Sequence, residues 1–223
     1  MPAALVLNHS LKQVKSKYPL VVALTEDLAT QENLTIFQQE NIKVEIIMSL
    51  AYNQSTINYV NNHQWNHTVL NTASKINLFF LYQYEKLVYI DADVLVVKNI
   101  DNLFSYPNGS LLWWIEGMSG LFVFEPKKHD AKIYKTLLEN GEFLDGNLIG
   151  SLFFVSKDNK NYQISKDYMQ NTFQLNDSKS IHYGLTKKPF LMTAIEAEEA
   201  VKKWPAYALY FYYLIPFKQK YNL

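Results

Sequence analysis

Two carboxylates, Asp91 and Asp93, stand at alternate positions where the apolar run Leu87-Val88-Tyr89-Ile90 ends. That pattern has two readings. A strand end of this kind can give one side chain to a hard divalent cation and another to a ribose or a bridging water. It can equally be a solvated strand end, where Asp is common. The rest of the composition narrows what chemistry is open. The chain has no cysteine, which excludes thiolate nucleophiles, disulfides and Cys-based zinc or iron–sulfur sites. All 21 of its cations are lysines, with no arginine. Phosphate must then be held by Lys, by backbone N–H groups or by a metal, because the bidentate guanidinium clamp is absent.

The elements that must position these groups follow from length and patterning. With 223 residues, 48 % hydrophobic and 19 % charged, the chain has the composition of a globular protein large enough for an ordinary core. We expect one domain over residues 1–223, since no repeat, low-complexity tract or linker divides it. Lys+Arg and Asp+Glu balance at 21 each, which argues against a globally basic nucleic-acid binder. The strongly apolar stretch Ala206–Phe217 is too short to span a bilayer, so no integral membrane contact is expected. The first residues lack the basic region and long apolar core of a secretory signal, and the expected location is cytoplasmic.

Along the chain, Pro2 followed by apolar periodicity to about Ser16 predicts a helix with Pro in its first turn. Leu20–Leu24 and Lys43–Met48 read as buried strands of a parallel sheet. A helix is expected from about Thr25 to Glu40, with Glu26 and Asp27 at its positive end. Tyr52–His67, rich in Asn and Gln, reads as a surface excursion, and Ser74–Tyr84 has helical spacing. Leu87–Ile90 is a third strand, running into Asp91-Ala92-Asp93. Ala206–Phe217 reads as an amphipathic helix closed by Pro216 and docked on the core. Strand, helix, strand, helix, strand is the rhythm of a doubly wound α/β domain, in which ligands sit beyond the carboxyl ends of strands.

The stretch from Tyr89 through Asp91-Ala92-Asp93 to Phe104 resembles the D-x-D segment of glycogenin-like, retaining nucleotide-sugar glycosyltransferases. Other pieces fall in that family's order. Ala3–Leu11 looks like its first helix, Ser119–Pro126 is similar to its N-S-G-x-F-V-x-x-P strand, and Phe143-Leu144-Asp145-Gly146 resembles the start of D-G-x-D-Q-G. Lys179–Gly184 through Lys188-Pro189-Phe190 resembles the closing H-x-x-G-x-x-K-P-W. The resemblance covers almost the whole chain. It implies a GT-A-type doubly wound, mostly parallel sheet flanked by helices. It further implies a metal-dependent transferase that moves a hexosyl group from a UDP-sugar to a hydroxyl acceptor with retention. Mn²⁺ or Mg²⁺ would be bound by Asp91, Asp93 and His182. Lys75, Ala92, Gly184 and Lys188 would join those three in contacting the donor, and Asp145 and Asn147 would face the sugar. Read without the family, His182 is a lone strand-capping histidine and Lys75 a solvated helix face, while either Lys187 or Lys188 can point inward.

The departures carry expectations of their own. Met118 replaces the family's Asn, Asn147 its second acid and Leu148 its Gln. Asn147 can hydrogen-bond a sugar but cannot offer negative charge to a developing oxocarbenium ion. The segment between Tyr168 and His182 lacks the Tyr acceptor of the self-glucosylating branch, so a separate acceptor is expected. Trp113-Trp114 can stack on a sugar ring or pack in the core. The family's opening strand has no counterpart before the first helix here, and its absence should leave exposed strand edges or let another segment substitute. Two rival readings follow: a degenerate GT-A remnant that binds nucleotide-sugar or a partner without efficient turnover, and a carboxylate–metal phosphatase or nucleotidyltransferase. The last lacks its usual downstream Lys and acidic-pair motifs.

Overall fold

The computed structural model describes residues 1–63, 67–112, 120–126, 163–171, 177–184 and 187–223. Helix α1 (Pro2–Gln13) begins with Pro, whose fixed φ and missing N–H suit a first helical turn. Its apolar residues Leu5, Val6 and Leu7 are almost wholly buried, because α1 is covered on more than one side. Strand β1 (Val21–Thr25) pairs in parallel with β2 (Lys43–Ile47), the two joined by helix α2 (Gln31–Gln39). Parallel pairing is as expected; full burial is not. Only Leu24 in β1 and Ile47 in β2 are buried, and Ile46 is 55 % exposed; β2 pairs with β1 alone among the described residues.

Three helical expectations shift. The stretch after β1 is broken: a single tight turn, Glu26–Leu28, is followed by α2, which starts afresh where Thr30 Oγ1 accepts from the Asn33 amide at 3.2 Å. The Asn- and Gln-rich excursion contains helix α3 (Gln54–Asn62), capped by Asn53 Oδ1 on the Thr56 amide at 2.9 Å and burying Thr56 and Val60. Of the helix expected over Ser74–Tyr84, residues 81–84 form a turn, and the part up to Phe80 belongs instead to a run of 3₁₀ turns, His67–Phe80. Its buried Ala73, Ile76 and Phe79 recur every third residue, the period of that tighter helix.

Strand β3 (Leu87–Ile90) pairs antiparallel with β6 (Leu121–Phe124), which also pairs antiparallel with β5 (Ser110–Leu111). Strand β4 (Val94–Val96) pairs antiparallel with β8 (Ser180–His182), and β8 in parallel with β7 (Gln170–Asn171). The α/β architecture stands, with parallel and antiparallel ladders mixed. Helix α1 locks onto β4 through Ser10, whose Oγ accepts from the Val96 amide at 3.2 Å and donates to the Leu7 carbonyl at 2.8 Å.

Helix α4 (Ala194–Lys203) opens with a capping box between Thr193 and Glu196. Helix α5 (Ala206–Tyr221) runs through Pro216 rather than stopping there. Both Pro216 and Tyr212 are exposed residues, and Pro216 has no amide to offer the Tyr212 carbonyl. Tyr207, Tyr210, Leu214 and Phe217 bury one face of α5 in the core that also holds Leu5, Val6 and Phe37. Asn222, in the left-handed conformation at φ 52°, ends the helix.

Candidate metal and donor site

The Asp91 amide donates to the Gly120 carbonyl at 2.9 Å, continuing the β3–β6 ladder. The chain then turns, with the Val94 amide reaching back to the Asp91 carbonyl at 3.2 Å, before β4 begins. That turn sets Asp93 at the head of β4, where its carbonyl accepts the Tyr183 amide at 3.0 Å. Register on β8 then places His182 beside Val94. A residue distant in sequence is thus delivered to the two aspartates by one ladder.

His182 Nε2 lies 3.5 Å from Asp91 Oδ2 and 3.3 Å from Asp93 Oδ1. One ligand atom from each of the three lies within 4.8 Å of the others. The opposite carboxylate oxygens are engaged by lysines. Lys75 Nζ is 3.1 Å from Asp91 Oδ1, and Lys188 Nζ donates to Asp93 Oδ2 and, at 3.4 Å each, to the Tyr183 and Gly184 carbonyls. Lys187 points the other way, to Glu196 at 2.6 and 2.7 Å, which settles which lysine of the pair faces inward. Burial pushes the Asp93 carboxyl upward, but His182 and Lys188 outweigh it and hold the group well below the usual carboxylate range.

Two glycines shape the pocket around the imidazole. A Cβ on Gly184 would lie 2.6 Å from His182 Cε1, and one on Gly120 would lie 3.1 Å from Asp91 Oδ2. The structure therefore puts Gly184 against the His182 ring. Ala92, between the aspartates, is exposed.

Sequence reading missed Tyr89. Its hydroxyl donates to Asp91 Oδ1 at 2.6 Å, its ring stacks on Phe122 at 4.6 Å, and Lys75 Nζ sits 5.1 Å over that ring. The signal was available, since a strand's period of two puts Tyr89 and Asp91 on one face. Asp145 and Asn147, with Trp113, Trp114, Met118 and Leu148, lie outside the described residues.

A mixed α/β domain with these carboxylates at the end of a strand has the fold of GT-A glycosyltransferases. Solved structures share it: glycosyltransferase GlyE of Streptococcus pneumoniae TIGR4, with TM-score 0.57 and 14 % identity over 98 % of this chain and 61 % of that one. The galactosyltransferase LgtC, crystallised with donor and acceptor sugar analogs, matches with TM-score 0.55 and 13 % identity over 87 % of each chain. Residues 1–116 match the family Glycosyl transferase family 8, and the chain belongs to it. It is 35 % identical over 105 residues to galactinol synthase 5 of Arabidopsis thaliana, covering 47 % of this chain and 30 % of that protein. It is 27 % identical over 188 residues to the glycogenin of Neurospora crassa, covering 82 % of this chain and 26 % of that protein. These alignments span less than a third of either relative. Among the described residues no helix is long and apolar enough to cross a membrane.

Proposed function

We propose that the chain is a metal-dependent hexosyltransferase, moving a hexosyl group from a UDP-sugar to a hydroxyl acceptor with retention at the anomeric carbon. The observation that carries this reading is the convergence of Asp91 Oδ2, Asp93 Oδ1 and His182 Nε2, each carboxylate with its other oxygen held by a lysine. Two carboxylate oxygens and one imidazole nitrogen fit Mn²⁺, and also Mg²⁺ with more water in its shell. A divalent cation held there would supply Lewis-acid neutralisation of the departing diphosphate.

The chain's own groups account for the rest of the chemistry. As the bond between sugar and diphosphate lengthens, negative charge grows on the leaving oxygen. Ammonium groups already oriented in the site stabilise that charge without reorganising. Lys75 and Lys188 are those groups, and with no Arg in the chain they carry this role as point charges. Asp145 and Asn147 remain the proposed groups facing the sugar, on the strength of the sequence alone. The acceptor is proposed to be a carbohydrate or other hydroxyl compound separate from the chain.

A second reading, a nucleotide-sugar binder without efficient turnover, is favoured by Asn147, Leu148 and Met118 standing where the family has an acid, Gln and Asn. One pair of measurements separates them. Thermal melting with UDP, with and without Mn²⁺, should show a cation-dependent rise, since a ligand of the folded state raises Tm. Asp93→Ala should remove it; an unchanged Mn²⁺-dependent rise would refute the site. Incubation with UDP-glucose and assay of free UDP then tests turnover, and binding without release selects the second reading.

A further inference from the structure

Among the described residues two buried side-chain polar atoms have no hydrogen-bond partner, Gln170 Oε1 and the Tyr210 hydroxyl. The Gln170 oxygen only accepts, so it offers nothing to a carboxylate. Tyr210 can donate. It is fully buried on α5, where an unpaired phenol destabilises the fold and Phe would pack with the same shape. A buried donor without an acceptor in a native core calls for a reason.

Its position supplies one. Continuing the β4–β8 register sets Asp93 opposite Tyr183, whose amide donates to the Asp93 carbonyl at 3.0 Å. The Tyr183 ring meets the Tyr210 ring edge-on, with centroids 4.7 Å apart. The charge that acts on the Tyr210 phenol is that of Asp93. Burial and that charge both push the phenol upward, so it keeps its proton and remains a donor.

Asp93 has a use for such a donor. Its Oδ1 faces the shared site, and among the described residues its Oδ2 is held by Lys188 alone. Lys188 is also the ammonium assigned above to the departing diphosphate. The N–H that lies on Asp93 Oδ2 cannot serve both acceptors at once. Drawn off by a diphosphate, it leaves an unpaired oxygen on a carboxylate whose side chain is only 11 % exposed. Such an oxygen pulls toward any donor within reach.

We infer that Tyr210 is a positioning residue for Asp93: its hydroxyl takes over the carboxylate oxygen that Lys188 releases to a bound diphosphate, and so keeps Asp93 aimed at the cation. This role rests on the metal-dependent transferase reading of the site. It also explains why the hydroxyl stands idle in the unliganded protein. The acceptor it serves is free only when the donor is bound, so the fold carries an unpaired group at rest and uses it in the loaded state. Without Tyr210, binding of the diphosphate would loosen a metal ligand; with it, cation and diphosphate support each other.

Tyr210→Phe removes the hydroxyl and keeps the ring. Scanning calorimetry without ligand should show Tm raised by about 2–4 °C, because an unpaired buried group is gone. In isothermal titration, Mn²⁺ should bind Tyr210→Phe as tightly as the parent when UDP is absent, and about tenfold more weakly when UDP is saturating. Lys188→Ala frees the Asp93 oxygen permanently. In that background, adding Tyr210→Phe should weaken Mn²⁺ binding about tenfold even without UDP, a coupling that two independent sites would not show. A more stable protein with a UDP-dependent loss of cation affinity is not what a packing role produces. Equal Mn²⁺ affinities of parent and Tyr210→Phe under UDP overturn the inference. So does a fall in Tm with the same loss of affinity in both conditions, which would make the hydroxyl structural only. A parent that shows no Mn²⁺-dependent binding of UDP overturns the site reading along with it. That outcome is read on the parent alone, so the two failures are told apart.

Discussion

The Tyr89 hydroxyl donates to Asp91 Oδ1 at 2.6 Å, while Asp91 Oδ2 faces His182 Nε2 at 3.5 Å. One oxygen of the carboxylate is therefore occupied by a tyrosine and a lysine, and the other is left for the shared site. Groups that orient a ligand in this way tune metal affinity without touching the metal. Tyr89→Phe keeps the ring stacked on Phe122 and removes only the donor. We expect Mn²⁺ affinity to fall about tenfold with little change in Tm. Isothermal titration with Mn²⁺ checks this, and unchanged affinity would mean that Lys75 alone orients Asp91.

Gly184 predicts a sharper effect. A Cβ added at this position would approach His182 Cε1 to 2.6 Å, which leaves the imidazole no room to stay in place. Gly184→Ala should turn the ring away and weaken Mn²⁺ binding roughly 10–100-fold, whereas Gly120→Ala, at 3.1 Å from Asp91 Oδ2, should be milder. Comparing the two titrations tests whether His182 is held by its neighbours as described.

The carboxylate of Glu40 carries a pH prediction. Partial burial raises the Glu40 carboxyl, but hydrogen bonds and charge from Lys220, with the Tyr221 hydroxyl, outweigh it and hold the group below its ordinary 4.5. A carboxyl depressed by folding contributes stability above its unfolded value, and that stability is lost as pH falls through the folded value. Glu40→Gln should therefore lower stability at pH 7 by no more than about 1 kcal/mol, and the gap to the parent should close below pH 4.5. Urea melts across that range provide the measurement; a gap that persists at low pH would assign the loss to packing.

Ser10 is buried and its Oγ satisfies the Val96 amide. Ser10→Ala strands that amide inside the α1–β4 contact, at a cost of about 1–2 kcal/mol. The expected fall in Tm is roughly 3–6 °C, read by differential scanning calorimetry. A neutral result would mean that water reaches Val96.

Much of this site is legible in the residue order because its parts are local. The apolar run Leu87–Ile90 ending in Asp91-Ala92-Asp93 announces a strand with carboxylates at its end. Lys75 is reached through the resemblance alone. The turn at Asp91–Val94 and the β4–β8 register that brings in His182 depend on pairings far apart in the chain, which periodicity cannot encode. The choice between Lys187 and Lys188 rests on where Glu196 falls, again a tertiary fact. In the fold, α3 escaped notice because its helix former is a cap, Asn53, within a polar stretch that looks like loop. The break before α2 turns on a single Thr30 side chain. Pro216 misled for the opposite reason: an exposed helix face tolerates the lost bond that an interior one does not.

Tyr183, one residue beyond the imidazole, donates its hydroxyl to the Ala206 carbonyl at 2.6 Å and packs its ring against Tyr207 and Tyr210. Strand β8 is thereby moored to the first turn of α5. Any agent that loosens that helix, whether a chaperone, a protease nick or a poorly chosen fusion, would slacken the imidazole's tether before it reached the aspartates.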